Sequence, residues 1–472
     1  MKHLDKIYIN GEFVTPHGSE IMDLFSPVSN EKVADVRRAD EMDTRKAIAA
    51  AKEALKTFSQ TSKEERIGYL EKLHAALKAR EQDLIDVMVD EYGGASAFVE
   101  MIMPYSIDDF KEMAGVVKDF DFEPKAGHSK VRLQAAGVVG IIIPWNMSNG
   151  FICTKVASAI GAGCTVVIKP AELSAQQTQV MMECIHAAGI PKGVVNILHG
   201  TGPVVGNELT VNPDVNKISF TGSTGVGKTI AKGAADTMKR VTLELGGKSP
   251  NIILDDADFA DAIPKAIFAA YLNSGQACAA ATRLLVPAKR LDEVNAIAKA
   301  TIEQAVKVGD PKDKSVNIGP MVSRKQWETI QGYIHSGIEQ GATLLTGGLG
   351  KPEGLETGNF VKPTIFTNVN NKMRIAQEEI FGPVLCIIPY EDDADAIKIA
   401  NDTPYGLCSY ITSADKNRAY ELAKHIDAGR VCINNVLHDP LAPFGGFKQS
   451  GVGREYGVFG LEAFLEPKAV IG

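Results

Sequence analysis

The chain has 472 residues, 45% of them hydrophobic and 23% charged, and its 50 basic against 58 acidic residues leave a net charge of −8. That length exceeds one compact core, so two or three domains are expected. The mild acidity and scattered charges exclude a nucleic-acid footprint and a charged binding tail. The N-terminal MKHLDKIYINGEFV lacks an apolar core, so no signal peptide is expected, and the longest apolar runs, such as 138–143, are too short to cross a bilayer. The seven dispersed cysteines point to reduced thiols in a cytoplasmic protein. No His/Cys cluster has zinc spacing, so no metal is expected.

In chain order, DTRKAIAAAKEALKTF at 43–58 reads as an amphipathic helix capped by Asp43, and helical spacing continues over 63–92. Residues 117–136 read as strand, turn, strand. From 138 short apolar runs alternate with helices: VVGIIIP, TVVIKP at 165–170, VVNIL at 194–198, KISFTG at 217–222 and VTLEL at 241–245. The helix between TVVIKP and VVNIL has Ser174 as a cap and Gly189 as a stop. Such β-branched runs separated by helices imply a parallel sheet covered on both faces. A second α/β block follows over 251–445, with NIILDD, TRLLVP at 282–287, a helix over 290–307 and PVLCIIPY at 383–390. The C-terminal LEPKAVIG fits neither block.

Glycine loops after parallel strands are where ligands bind, at helix N-termini. GTGPVVG at 200–206 is one residue longer than the dinucleotide fingerprint. GSTGVGKT at 222–229 matches a P-loop, and NIILDD could serve as its acidic strand. A P-loop NTPase is thus a competing reading. Against it, several strands of the same sheet precede the loop, and the gap to NIILDD is short. A third loop, PFGGFKQSGVGRE at 443–455, says only that the backbone there is tight. GQACAAATR at 275–283 holds one cysteine among small residues. Taken alone, it favours packing over nucleophilicity for Cys278.

Motifs in fixed order along the chain change that reading: PWN at 144–146, KPAE at 169–172, FTGS at 220–223, LELGGKSP at 243–250, GQAC at 275–278, EEIFGP at 378–383 and PFGGFKQSG at 443–451. Together they resemble the aldehyde dehydrogenase superfamily, over nearly the whole chain. The resemblance implies an α/β fold: a Rossmann-like NAD-binding domain (1–116 and 137–246), a second α/β catalytic domain (247–446) and a small β oligomerisation arm (117–136 and 447–472). In this family such arms add strands to a neighbour's sheet, implying a homodimer or homotetramer.

It also implies NAD-dependent oxidation of an aldehyde to the acid. Cys278 matches the nucleophile: a thiolate adding to the carbonyl makes a thiohemiacetal whose C–H can leave as hydride, giving a thioester. Glu244 matches the base that activates water to hydrolyse the thioester. Members that pass the acyl group to coenzyme A tend to lack this base, so a hydrolytic, non-CoA-acylating enzyme is implied. Asn146 matches the oxyanion donor, acting with the Cys278 N–H. Lys169 and Glu172 resemble the residues that hold the adenosine ribose, and a carboxylate there favours NAD over NADP. Ser223 would face the pyrophosphate. Glu379 and Phe381 would seat the nicotinamide ribose and ring. Ile142, Pro144, Trp145, Gly202, Gly222 and Val226 complete the implied cofactor contacts. Met147, Ala277, Ala279, His438 and Phe444 are the implied substrate contacts. The mouth segment 434–440, NNVLHDP, is more polar than the walls expected for fatty or aromatic aldehydes, so a small or polar aldehyde is expected. Ser148 stands where the family commonly has proline. A non-catalytic NAD-binding protein on the same fold is the other alternative.

Overall fold

The β-branched runs from 138 onward do pair as parallel strands. The structure, a computed structural model, describes residues 1–436 and 438–471; Leu437 of the mouth segment and Gly472 lie outside the described residues. Five strands, in the spatial order Arg240–Glu244, Lys217–Thr221, Val138–Ile142, Thr165–Lys169, Val195–Ile197, run parallel. Antiparallel strands extend both edges: Gly451–Val452 beside Glu244, and Ile7–Ile9 with Glu12–Val14 beside Val195–Ile197. Val138–Ile142 comes first in the chain among the five and lies between later ones. Connections therefore leave it in both directions, which opens a crevice at its carboxyl end. PWN at 144–146 follows that end directly.

A second sheet orders Thr343–Thr346, Thr364–Thr367, Val384–Tyr390, Arg283–Pro287, Pro250–Ile253, Cys408–Thr412 and Arg430–Ile433. All are parallel except Thr343–Thr346 at the edge. Both large sheets are covered on two faces. One core cluster gathers Leu70, Leu73, Ile107, Ile152 and Ile168, and its counterpart gathers Ile48, Ile142, Leu209 and Ile218. The second sheet has the pair built on Phe366 and Ile388 and on Phe259 and Ile387.

Several boundaries differ from the sequence reading, each for a local reason. The first helix begins at Glu41 because Asp40 caps it; Asp43 is the reciprocal partner of that capping box, returning a bond to the Asp40 N–H. The 63–92 stretch is two helices, Lys63–Lys78 and Glu81–Tyr92. The helix Ala175–Ala187 starts after Ser174, but the Ser174 side chain does not cap it; its hydroxyl bonds Ser148 Oγ at 3.0 Å instead. Residues 117–119 finish the helix Ser96–Asp119, and the hairpin Lys125–Ala126 with Ser129–Ala135 follows. Within 447–472, only Leu465–Val470 joins that hairpin. Gly451–Val452 belongs to the first large sheet. The strands Lys2–Leu4, Lys32–Arg37 and Ile21–Phe25 form a small N-terminal sheet, which their mixed polarity hid.

Leu73 is fully buried in the helical layer over the first sheet. Leu73→Ala is expected to cost about 2–5 kcal/mol through the cavity it leaves, read as a lowered denaturant midpoint; a change below about 1 kcal/mol would contradict the packing described.

Candidate active site

The crevice lies where the carboxyl ends of the first sheet face the amino ends of the second. Glu244 ends Arg240–Glu244. Cys278 sits in the loop before Arg283–Pro287, and Asn146 follows Val138–Ile142. The Cys278 loop is held in an unusual shape. Asn273, Ser274 and Gly275 all have positive φ, at 54°, 59° and 74°. A Cβ on Gly275 would lie 2.2 Å from the Gly382 carbonyl oxygen, so only glycine fits. Side chains offset the strain at the other two. Tyr92 donates to Asn273 Oδ1, and Asn273 Nδ2 donates to the Asn146 carbonyl at 3.1 Å. Ser274 Oγ accepts from Gly319 N at 3.0 Å and Gln276 Oε1 from Val322 N at 3.1 Å.

Asn146 is buried, and its Nδ2 donates to the Gln276 carbonyl at 2.9 Å. An amide nitrogen has two protons, so one bond fixes its direction and one N–H is left for a ligand beside Cys278. The Cys278 thiol is partly exposed. Burial pushes its pKa up, reinforced by the charges of neighbouring groups including Glu379 and Glu244, while Arg430 opposes the rise. Glu244 is buried with neither carboxylate oxygen hydrogen-bonded within the protein. Burial first, then the charge of Glu455, hold its pKa well above the usual carboxylate range against Lys155 and Arg454. A Cβ on Gly445 would come 2.7 Å from Glu244 Oε1, so the PFGG loop closes on the carboxylate.

Glu379 Oε1 accepts from Gly247 N at 3.0 Å. Its pKa is pushed up to about 7 by burial, against that N–H and Lys248. A Cβ on Gly246 would fall 2.3 Å from Glu379 Oε2 and push the carboxylate aside. Phe381, at φ 58°, meets Trp145 edge-on at 5.5 Å between ring centres. At the other end of the crevice, Lys169 Nζ lies 3.3 Å from Glu172 Oε1, which accepts from Gly202 N at 3.0 Å. Ile142 and Lys169 both approach Gly206 of the turn Gly202–Gly206. Ser223 caps the helix Thr224–Ala235 through Val226 N, with Val226 half-exposed on its first turn. Open space adjoins Gly202 and Gly225. A helix N-terminus, the Glu172 carboxylate and uncrowded glycines suit a dinucleotide. Gly222 is enclosed instead: a Cβ there would meet the Phe220 ring at 2.4 Å.

Pro144 and Met147 flank Trp145 and Asn146 on the same loop, both half-buried. Ala277 and Ala279 flank Cys278, equally half-buried. His438, Phe444 and Tyr456 form a ring cluster, with centroids 4.5 Å apart for His438–Tyr456 and 6.2 Å for His438–Phe444. Ser148 opens the helix Ser148–Ala162 and bonds Ser174, which joins this loop to the Lys169–Glu172 segment.

Residue-level reading missed the groups behind Glu244. Lys155 pairs with Glu455, and its Nζ also meets Ser219 Oγ at 3.0 Å. Lys155 is the single charge in an otherwise uncharged helix, and that is the signal that could have found it.

The P-loop reading fails on geometry. Six of its eight residues, 224–229, are already helical, so no phosphate-cradling loop exists, and Lys228 Nζ donates to Gln449 Oε1 at 2.9 Å.

With this geometry in view, the sequence profile described as the aldehyde dehydrogenase family matches residues 13–470. The chain belongs to the aldehyde dehydrogenase family. It is 43% identical to a 3-succinoylsemialdehyde-pyridine dehydrogenase of a Pseudomonas species, over all of this chain and 99% of that protein. Among solved structures, a mutant aldehyde dehydrogenase C of Pseudomonas syringae in complex with NAD+ and octanal aligns with TM-score 0.97 at 41% identity, covering 99% of this chain and 96% of that one. The Mycobacterium tuberculosis aldehyde dehydrogenase complexed with NAD+ aligns with TM-score 0.96 at 39% identity, covering 100% and 98%. As in those relatives, the match spans both α/β halves of this dehydrogenase.

Lys155 is fully buried, with its partner's side chain only 7% exposed. Lys155→Met is expected to cost about 3–5 kcal/mol by removing the partner of the buried Glu455, seen in denaturant unfolding; a cost under about 1 kcal/mol would contradict the buried pair described.

Proposed function

We propose that this chain is an NAD-dependent, hydrolytic aldehyde dehydrogenase with Cys278 as nucleophile, Glu244 as base and Asn146 as oxyanion donor. The observation that carries the reading is the buried, unpartnered Glu244 carboxylate sharing one crevice with the Cys278 thiol. A carboxylate left without partners is a ready proton acceptor, because protonation relieves its desolvation. The Cys278 proton is released to solvent as Sγ adds to the aldehyde carbon. The resulting alkoxide receives the free Asn146 N–H and the Cys278 backbone N–H, donors fixed before the charge forms. NAD, when bound, supplies the hydride acceptor for collapse to the Cys278 thioester. Glu244 then takes a proton from water, whose oxygen attacks the thioester carbon; the C–S bond breaks, the acid leaves, and the Cys278 thiolate regains the proton held by Glu244.

Glu172, held by Lys169 and the Gly202 N–H, keeps one oxygen for ribose hydroxyls and repels a 2′-phosphate, which favours NAD over NADP. Glu379 and Phe381 hold the nicotinamide side. The hairpin 125–135 with Leu465–Val470 presents a largely exposed face and a free edge, the form expected of an arm that pairs with a second copy in a dimer or tetramer. Among the described residues no helix is long and apolar enough to cross a membrane; with buried unpaired thiols, a cytoplasmic location follows as part of this proposal.

NADH formation from NAD and small aldehydes is expected in the wild type and is expected to vanish in Cys278→Ala. Asn146→Ala is expected to lower kcat about 100- to 1000-fold. Glu244→Gln should release one equivalent of NADH per site and then stall; steady turnover in that variant would remove Glu244 from hydrolysis. Cys278 and Glu244 both act deprotonated, and both have raised pKa values, so their active forms accumulate as pH rises. The wild-type kcat/KM should therefore increase from neutral to alkaline pH, and a profile that falls over that range would contradict the assignment.

A further inference from the structure

Arg430 has no part in that reading, yet it stands within the crevice. It opens the strand Arg430–Ile433 at the amino end of the second sheet, in register with Cys408. Its guanidinium lies 5.0 Å from the centre of the Phe444 ring. Nη1 is 3.1 Å from His438 Nδ1. Nε is buried and has no hydrogen-bond partner among the described residues. The groups that act on it most are Cys408, Tyr410 and Cys432, and no carboxylate is among them. Tyr410 donates to the Ala279 carbonyl at 2.8 Å, tying this cluster to the residue after the nucleophile. Arg430 is also near enough for its charge to favour ionised Cys278.

A desolvated guanidinium without a counter-charge is costly, and proteins normally pair one. Lys155 has Glu455 and Lys169 has Glu172. His438 cannot neutralise Arg430: an imidazole brings no negative charge, and in its neutral form it only accepts from Nη1. Arg430 therefore keeps one donor, Nε, unspent, with its guanidinium beside the aromatic wall of Phe444. One guanidinium and a neutral imidazole match a monoanion, whereas the dianion of a phosphate ester would keep surplus charge.

We propose that Arg430 determines specificity by receiving the carboxylate of a short aldehyde that carries an acid at its far end, an ω-oxo acid. This rests on the dehydrogenase reading of the same site and names its substrate class.

The test compares 4-oxobutanoate with butanal, which share a carbon count and differ in charge. The kcat/KM ratio is expected to favour the oxo acid about 10-fold or more in the wild type, to fall about 10-fold or more in Arg430→Gln, and to be partly kept in Arg430→Lys. A wild-type ratio at or below one overturns the proposal, as does a ratio unchanged in Arg430→Gln. A readout without turnover separates this from the dehydrogenase reading: alkylation of Cys278 by iodoacetate against iodoacetamide, followed by peptide mass spectrometry. Any effect of Arg430 on the thiolate cancels in that ratio. The anionic reagent is expected to be favoured in the wild type and to lose that advantage in Arg430→Gln; equal ratios in the two proteins overturn the proposal even if no aldehyde is oxidised. Failure to oxidise butanal or any other aldehyde, with the alkylation preference intact, would instead sink the dehydrogenase reading alone.

Discussion

Glu244 is enclosed by the PFGG loop, with Gly445 in contact with its Oε1, and neither of its oxygens accepts a hydrogen bond from the protein. Everything that makes the crevice reactive depends on that desolvation. In water the carboxylate would be a weak base and Cys278 a slow nucleophile. In the crevice burial raises both pKa values, and the charge of Glu244 adds to the rise at Cys278, so each is a stronger base once its proton has left. The cost is met by packing elsewhere, since the residues around the site belong to two sheets each covered on both faces.

The arrangement also explains why glycine recurs in the motifs. Gly275 admits the Gly382 carbonyl and Gly445 admits Glu244 and the Gly453 carbonyl, both at positive φ, and at Gly246 a Cβ would displace the Glu379 carboxylate. These glycines let main chain and carboxylates from different sheets approach one another. The Cys278 loop adds two non-glycine residues in left-handed backbone, Asn273 and Ser274, whose side chains hold it through Tyr92 and Gly319. A fixed loop keeps the Cys278 thiol and the Asn146 amide in register.

Much of this was legible in the sequence because parallel buried strands leave uninterrupted apolar runs, and 138–142, 165–169 and 217–221 carry them plainly. The family resemblance then brought Cys278, Glu244 and Asn146 to one site although they lie far apart in the chain. Short polar strands were not legible: Ile21–Phe25 and Lys32–Arg37 alternate weakly and pair only with each other and Lys2–Leu4. The break at 79–80 between two helices leaves no glycine or proline to mark it. Gly451–Val452 was hidden because two residues joining a sheet edge have no periodicity. Lys155, Glu455 and Arg430 went unread because their meaning lies in partners from distant segments, or in having none.

The most direct test of the central claim is intact-protein and peptide mass spectrometry of the Glu244→Gln protein mixed with NAD and an aldehyde. A single added acyl group on the peptide containing Cys278 is the outcome this account requires. An unmodified Cys278, or an acyl group on one of the other cysteines, would contradict it.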